Sequence, residues 1–180
     1  IAAGLRQVIR DMVHNNMVDL IVSTGAIFYQ DYYAAKGGGH YRGNPNADDK
    51  KLRDLYVNRI YDTYIDEELF GEYDTLIGDF AGTLEPKDYS SREFLEKLSA
   101  TIDDENSILV AAREKGIPVF CPAISDSSIG IGLAEHYYIA RREGKHAIDV
   151  LLVIAVADDL RTEFRGKVVH SNAQYAAEVL

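Results

Sequence analysis

Two short apolar runs, each leading straight into small residues and then a helical pattern, constrain this chain more than any other feature. The first is Val18 to Ser23 (Val-Asp-Leu-Ile-Val-Ser), followed by Thr24-Gly25-Ala26 and helical spacing through Asp31 to Ala35. The second is Ile117-Pro118-Val119-Phe120-Cys121, followed by Ser125 to Gly132 and a helix through His136. Runs rich in Val and Ile without alternation read as strands covered on both faces. Strand, tight turn and helix in succession is the rhythm of a parallel sheet flanked by helices, so the predicted class is α/β. A third apolar run, Ile148 to Val156, fits a further strand.

The remaining pattern fills in around these runs. Leu5, Val8, Ile9, Met12 and Val13 recur at helical spacing and predict a helix with one apolar stripe, ending near Asn15-Asn16. Gly37-Gly38-Gly39 interrupts the helix after the first turn, and a polar loop to about Lys50 follows. Leu52 to Tyr64 has moderate helical character, and Leu69 to Leu84 fits neither period cleanly. Ser90-Ser91-Arg92-Glu93 has the spacing of a capping box and opens a helix carrying Phe94, Leu95, Leu98 and Ile102. Asp103-Asp104 can cap the next helix, which ends at Gly116. No internal repeat or composition shift divides the 180 residues, which predict a single domain.

Charge and cysteine usage narrow the function. The balance is 19 basic against 29 acidic side chains, a net −10, which argues against phosphate-backbone binding and so against a nucleic-acid partner. It is compatible with a cationic small molecule or a basic protein. A single thiol, Cys121, forms no internal disulfide, and a reducing cytoplasm fits it. The longest apolar stretch, Ala147 to Ala157, is short for a bilayer and contains Asp149, so no membrane span is expected. Nor is a signal peptide visible at Ile1-Ala2-Ala3-Gly4. The five His show no metal-ligand spacing, and no metal is expected.

Ligands of open parallel sheets bind at the carboxyl ends of strands, where helix N-termini offer N–H groups. Thr24-Gly25-Ala26 and Ser125 to Gly132 are the two such places. Small residues there let a backbone approach a phosphate or ribose, and Asp126 can accept from ribose hydroxyls or a cationic group. Neither is a dinucleotide fingerprint or a Walker loop, and each taken alone is also an ordinary strand-to-helix turn. Gly37 to Gly39 with His40 could cradle an anion or simply connect. Cys121, in a buried strand without a matched His, is expected to be inert. Tyr56, Tyr61 and Tyr64 are expected to pack rather than stack on bases.

At these motifs the sequence resembles the deoxyhypusine synthase family. The resemblance is carried by Asn16-Met17-Val18-Asp19-Leu20-Ile21-Val22-Ser23-Thr24-Gly25-Ala26, by Ile117 to Gly130, and by Asn58-Arg59-Ile60 and Leu84-Glu85-Pro86-Lys87. Asp-Ser-Ser-Ile-Gly-Ile-Gly is similar to the bacterial deoxyhypusine synthase-like branch. The resemblance implies a Rossmann-like parallel sheet flanked by helices, NAD as cofactor, and homotetramers with shared active sites. It implies transfer of the 4-aminobutyl group of spermidine to an acceptor amine. That acceptor is a lysine of the hypusine-containing translation factor or another polyamine. Thr24, Gly25 and Ala26 match the family's cofactor turn, Asp126 its cofactor-contacting aspartate, and Gln30 a position where relatives carry Glu or His.

The match also departs from the family. Ala2 and Ala3 replace family serines, and Ile131 stands where eukaryotic enzymes carry a spermidine-binding Asp. The Gly-Gly-Gly-Val-x-Lys motif and the Glu-Ala-x-Ser-Trp-Gly-Lys motif, which holds the nucleophilic lysine, are not recognisable. Arg165-Gly166-Lys167 echoes the end of the second, which makes Lys167 the candidate catalytic lysine. The reading is thus of one domain over residues 1–180, cut at its start and divergent after about Gly144. A non-catalytic homologue serving as a binding or regulatory subunit is the other expectation.

Overall fold

The computed structural model describes residues 1–145 and 147–151. The chain opens with α1 (Arg6–His14), β1 (Ile21–Val22) and α2 (Gly25–Ala35). It continues through β2 (Tyr41–Arg42), α3 (Asp49–Asp54), β3 (Val57–Ile60), β4 (Thr63–Asp66) and α4 (Glu67–Gly82). Then come β5 (Asp88–Ser90), α5 (Ser91–Ser99), α6 (Ile108–Lys115), β6 (Val119–Phe120), a 3₁₀ turn (Ile124–Asp126), α7 (Ser128–Arg142) and β7 (Asp149–Leu151). The class is α/β. The two apolar runs do pair in parallel, β1 on β6, with Ile21 opposite Val119 and Val22 opposite Phe120. Ile21 N donates to Pro118 O at 3.0 Å and Ser23 N to Phe120 O at 3.1 Å. Pro118, which lacks an N–H, sits just before β6, where it costs the ladder nothing.

A second parallel pair joins β5 to the start of the third apolar run, with Tyr89 opposite Val150. The rest of that run, beyond Leu151, lies outside the described residues. A third sheet departs from the sequence reading: β2, β4 and β3 pair antiparallel in that order. Leu52 to Tyr64 is therefore mostly a hairpin rather than a helix. Its β-branched and aromatic residues (Val57, Ile60, Thr63, Tyr64) outweigh the charges that suggested helix. Tyr56 and Tyr61 take left-handed backbone, φ 54° and 55°, and close the turns on either side of β3.

Helix α2 is the centre of the molecule. Phe28, Tyr29, Tyr32 and Tyr33 are all buried, so the helix is apolar almost all round, as a fully enclosed helix must be. Around it pack Ile77 and Ala81 of α4, Phe94, Leu95 and Leu98 of α5, Leu109 and Ala112 of α6, and Ile129 of α7. Helix starts follow local chemistry. Asp48, Asp66, Ser90 and Ser107 cap α3, α4, α5 and α6 through their side chains, and Ser90 and Glu93 form the predicted capping box. Helix α6 is capped by Ser107 rather than by Asp103-Asp104, because Asp104 turns its carboxylate to Asn106 and Arg6. The helix ends at Gly116 with φ 67°, a left-handed cap that glycine adopts without strain.

Candidate functional site

The parallel pairing of β1 and β6 brings the two small-residue turns to one end of the sheet. Gly25, the first residue of α2, lies against Ser127. A Cβ at position 25 would sit 2.2 Å from Ser127 Oγ and 2.5 Å from its Cβ, so only glycine fits. Thr24 is the N-cap of α2 and Ser127 the N-cap of α7, and neither side chain caps its helix. Ser127 Oγ instead donates to Ile124 O at 2.6 Å. These two helix starts thus keep their first N–H groups unengaged by capping side chains, in contrast to α3, α4, α5 and α6. Thr24, Ala26, Ser125 and Asp126 are all exposed at this end. The start of α2, with Thr24, Gly25 and Ala26, thus lies beside the turn that carries Asp126.

Gln30 stands five residues further along α2, about 7.5 Å along the axis. Its Oε1 accepts from Ala2 N at 3.0 Å, which brings the start of the chain against α2. Lys167 lies outside the described residues. Chemically, the assembled turns offer backbone N–H donors and the positive ends of two helix dipoles to an anion. They also offer one exposed carboxylate to hydroxyls or a cation. Among the described residues no group of His, Cys, Asp and Glu is arranged to hold a metal ion.

The other candidates resolve into structural roles. Cys121 is buried, which pushes its thiol up to about 12, and its backbone N donates to Ser91 Oγ at 3.1 Å. A thiol raised in this way is disfavoured as the reactive thiolate. Gly38 and Gly39 pack against the rings of Tyr33 and Tyr41. Burial also holds His40 below the usual histidine range. His136 is half-buried, and its Nε2 accepts from Ile148 N at 3.2 Å.

The residues that sequence reasoning missed are Asp31 and its partners. Asp31 is fully buried in α2, and its two carboxylate oxygens accept four hydrogen bonds. Oδ1 accepts from Arg6 Nε (2.7 Å) and Ile108 N (3.1 Å), and Oδ2 from Ser107 Oγ (2.7 Å) and Leu109 N (3.0 Å). Arg6 also reaches Asp104 Oδ2 at 2.8 Å. A carboxylate in the run Phe28-Tyr29-Gln30-Asp31-Tyr32-Tyr33 was the available signal, since a charge inside an all-round apolar helix requires partners.

Comparison with known proteins agrees with this architecture. Residues 1–163 match the family described as deoxyhypusine synthase. The chain is 50% identical over 143 residues to a deoxyhypusine synthase-like protein of Chlorobaculum tepidum, covering 77% of this chain and 41% of the relative. It is 44% identical over 163 residues to one of Caulobacter vibrioides, covering 87% and 44%. The crystal structure of a provisionally named deoxyhypusine synthase from Entamoeba histolytica superposes with a TM-score of 0.60 at 20% identity, over 89% of this chain and 47% of that one. That likeness concerns the fold. The chain spans about two-fifths of the length of the curated relatives it matches.

Proposed function

Because the chain belongs to the deoxyhypusine synthase family, we propose that it forms one Rossmann-like domain binding NAD where α2 and α7 begin. In this reading the domain serves transfer of the 4-aminobutyl group of spermidine to an acceptor amine. The observation that carries it is the meeting of two helix N-termini without side-chain caps at Gly25 and Ser127. That donor set fits a dinucleotide: N–H groups of the Thr24-Gly25-Ala26 turn for phosphate oxygens, and the Asp126 carboxylate for ribose hydroxyls. NAD, when bound, supplies a hydride acceptor for an amine substrate.

The chain's own residues do the rest. Thr24, Gly25 and Ala26 hold the anionic part, Gln30 lends its carboxamide, and Asp126 orients the sugar. The net charge of −10 draws a polycation such as spermidine toward the molecule. Lys167 is the proposed nucleophile, acting as an uncharged amine. The acceptor is a lysine of the hypusine-containing translation factor or a small polyamine. A cytoplasmic homotetramer completes the reading, supported by the single reduced thiol and by apolar side chains such as Leu5 and Val8 left on the surface.

Incubation with NAD and spermidine tests the enzyme reading. Formation of reduced NAD or cleavage of spermidine is the expected result. NAD binding without either would replace it with the second reading, a non-catalytic subunit. That reading draws on the nucleophile motif, which is recognisable only as the echo at Arg165-Gly166-Lys167.

A further inference from the structure

We propose that Gln30 and Asp31 form a latch that holds the segment before α1 against α2, making Arg6 and Asp31 positioning residues for dinucleotide binding. The proposal rests on the NAD reading above and extends it to residues outside the turn. Two consecutive α2 residues grip the chain at two points four residues apart. Gln30 Oε1 accepts from Ala2 N at 3.0 Å, while the Asp31 carboxylate and backbone O accept from Arg6 Nε (2.7 Å) and one terminal Arg6 nitrogen (3.1 Å). Between them, Gly4 N closes a turn onto Ile1 O at 2.8 Å.

Polar contacts do more than apolar burial to fix this segment, in which Ile1 and Ala2 are half-buried. Ala3 and Gly4 are exposed, and Leu5 is 54% exposed. The anchor itself is rigid, because Asp31 also accepts from Ser107 and from the first two N–H groups of α6. The position of Ala2 is thereby referenced to the start of α6 through one buried carboxylate. Planar guanidinium suits this role, since Arg6 spans Asp31 and Asp104 at once.

The latch also orients Gln30. Ala2 N–H can only donate, so Oε1 must face it, and the Gln30 Nε2 amide is left as a donor for a ligand. Loosening Arg6 frees Ala2, and freeing Ala2 releases the Gln30 carboxamide. Arg6 acts through Ala2 and Gln30, without touching the ligand.

A double-mutant cycle on the full chain tests this, with NAD affinity from titration calorimetry and Tm from thermal unfolding. Arg6→Ala and Gln30→Ala are each expected to weaken NAD binding about tenfold, and the double variant no further than either alone. Their effects on Tm are likewise expected to fall short of additive, because freeing Ala2 already loses the Gln30 contact. Arg6→Lys keeps the charge but loses the fork, so it is expected to weaken NAD binding while staying folded if Arg6→Ala does not. Additive losses in NAD affinity, or unchanged affinity in a folded Arg6→Lys, would overturn the latch and leave the NAD reading standing. A wild-type chain that binds no NAD would overturn that reading itself, and the latch's role in it, before any variant is compared.

Discussion

Asp74, on α4, is a half-buried carboxylate whose Oδ1 has no hydrogen-bond partner. Burial is the main cause that pushes its pKa up to about 6; the nearby Tyr29 hydroxyl opposes this, and the charges of Glu135 and Glu67 add to it. A carboxyl raised in the folded state binds its proton more tightly there than when unfolded. Its contribution to stability is thus full below about pH 4 and lost as pH rises through about 6. Urea unfolding across pH 4 to 7 is expected to show this loss. Asp74→Asn is expected to flatten it and to stabilise the protein at pH 7 by about 1–2 kcal/mol. At the site, Gly25→Ala places a methyl group on Ser127. It is expected to cost about 2 kcal/mol in a chemical-denaturation measurement and to abolish NAD binding in a titration.

The residues legible in the sequence were those whose signal is local. Small residues after a strand, a Ser-x-x-Glu spacing and a glycine after a helix each report on their own few neighbours. Asp31 was not legible in that way. Its partners are Arg6, 25 positions before it, and Ser107, Ile108 and Leu109, 76 to 78 positions after it, so no window of the sequence holds the network.

Among the elements, the parallel pair and its two helices followed from the apolar runs, and the hairpin did not. Leu52 to Tyr64 alternates too little to announce strands, and its pairing partner β2 lies in a stretch read as loop. What decides it is tertiary: the hairpin residues Thr63 and Ile65 are buried, and Ile65 joins the core with Tyr33. The stripe predicted for α1 is buried only in part: Val13 is buried and Ile9 and Met12 half-buried, while Val8 and Leu5, the residue just before the helix, are 53% and 54% exposed. The helix packs on α6, and its Arg6 is tied to Asp31, which also accepts from Ser107 and the first N–H groups of α6. Ser90→Ala removes the acceptor for Glu93 N, at 3.2 Å, and is expected to lower stability by about 1 kcal/mol in urea unfolding.

Among the described residues, exposed apolar side chains include Leu5 and Val8 at the start of α1, Tyr41, Leu55, Tyr56 and Tyr61 on or beside the antiparallel strands, and Ile131, Tyr137 and Tyr138 on α7. Neither helix is long and apolar enough to cross a membrane. The proposed oligomer would cover such side chains. Leu5→Asp with Val8→Asp is accordingly expected to shift the sedimentation coefficient to that of a smaller species, with secondary structure unchanged by circular dichroism. An identical coefficient would remove α1 from the interface.

Calorimetric titration of the chain with NAD, alone and as Asp126→Ala, tests whether the meeting point of α2 and α7 is a dinucleotide site. Saturable binding by the wild type is expected, weakened at least tenfold by Asp126→Ala through loss of a hydrogen bond to a charged group. Absence of binding, or equal affinity in the folded Asp126→Ala chain, would contradict it.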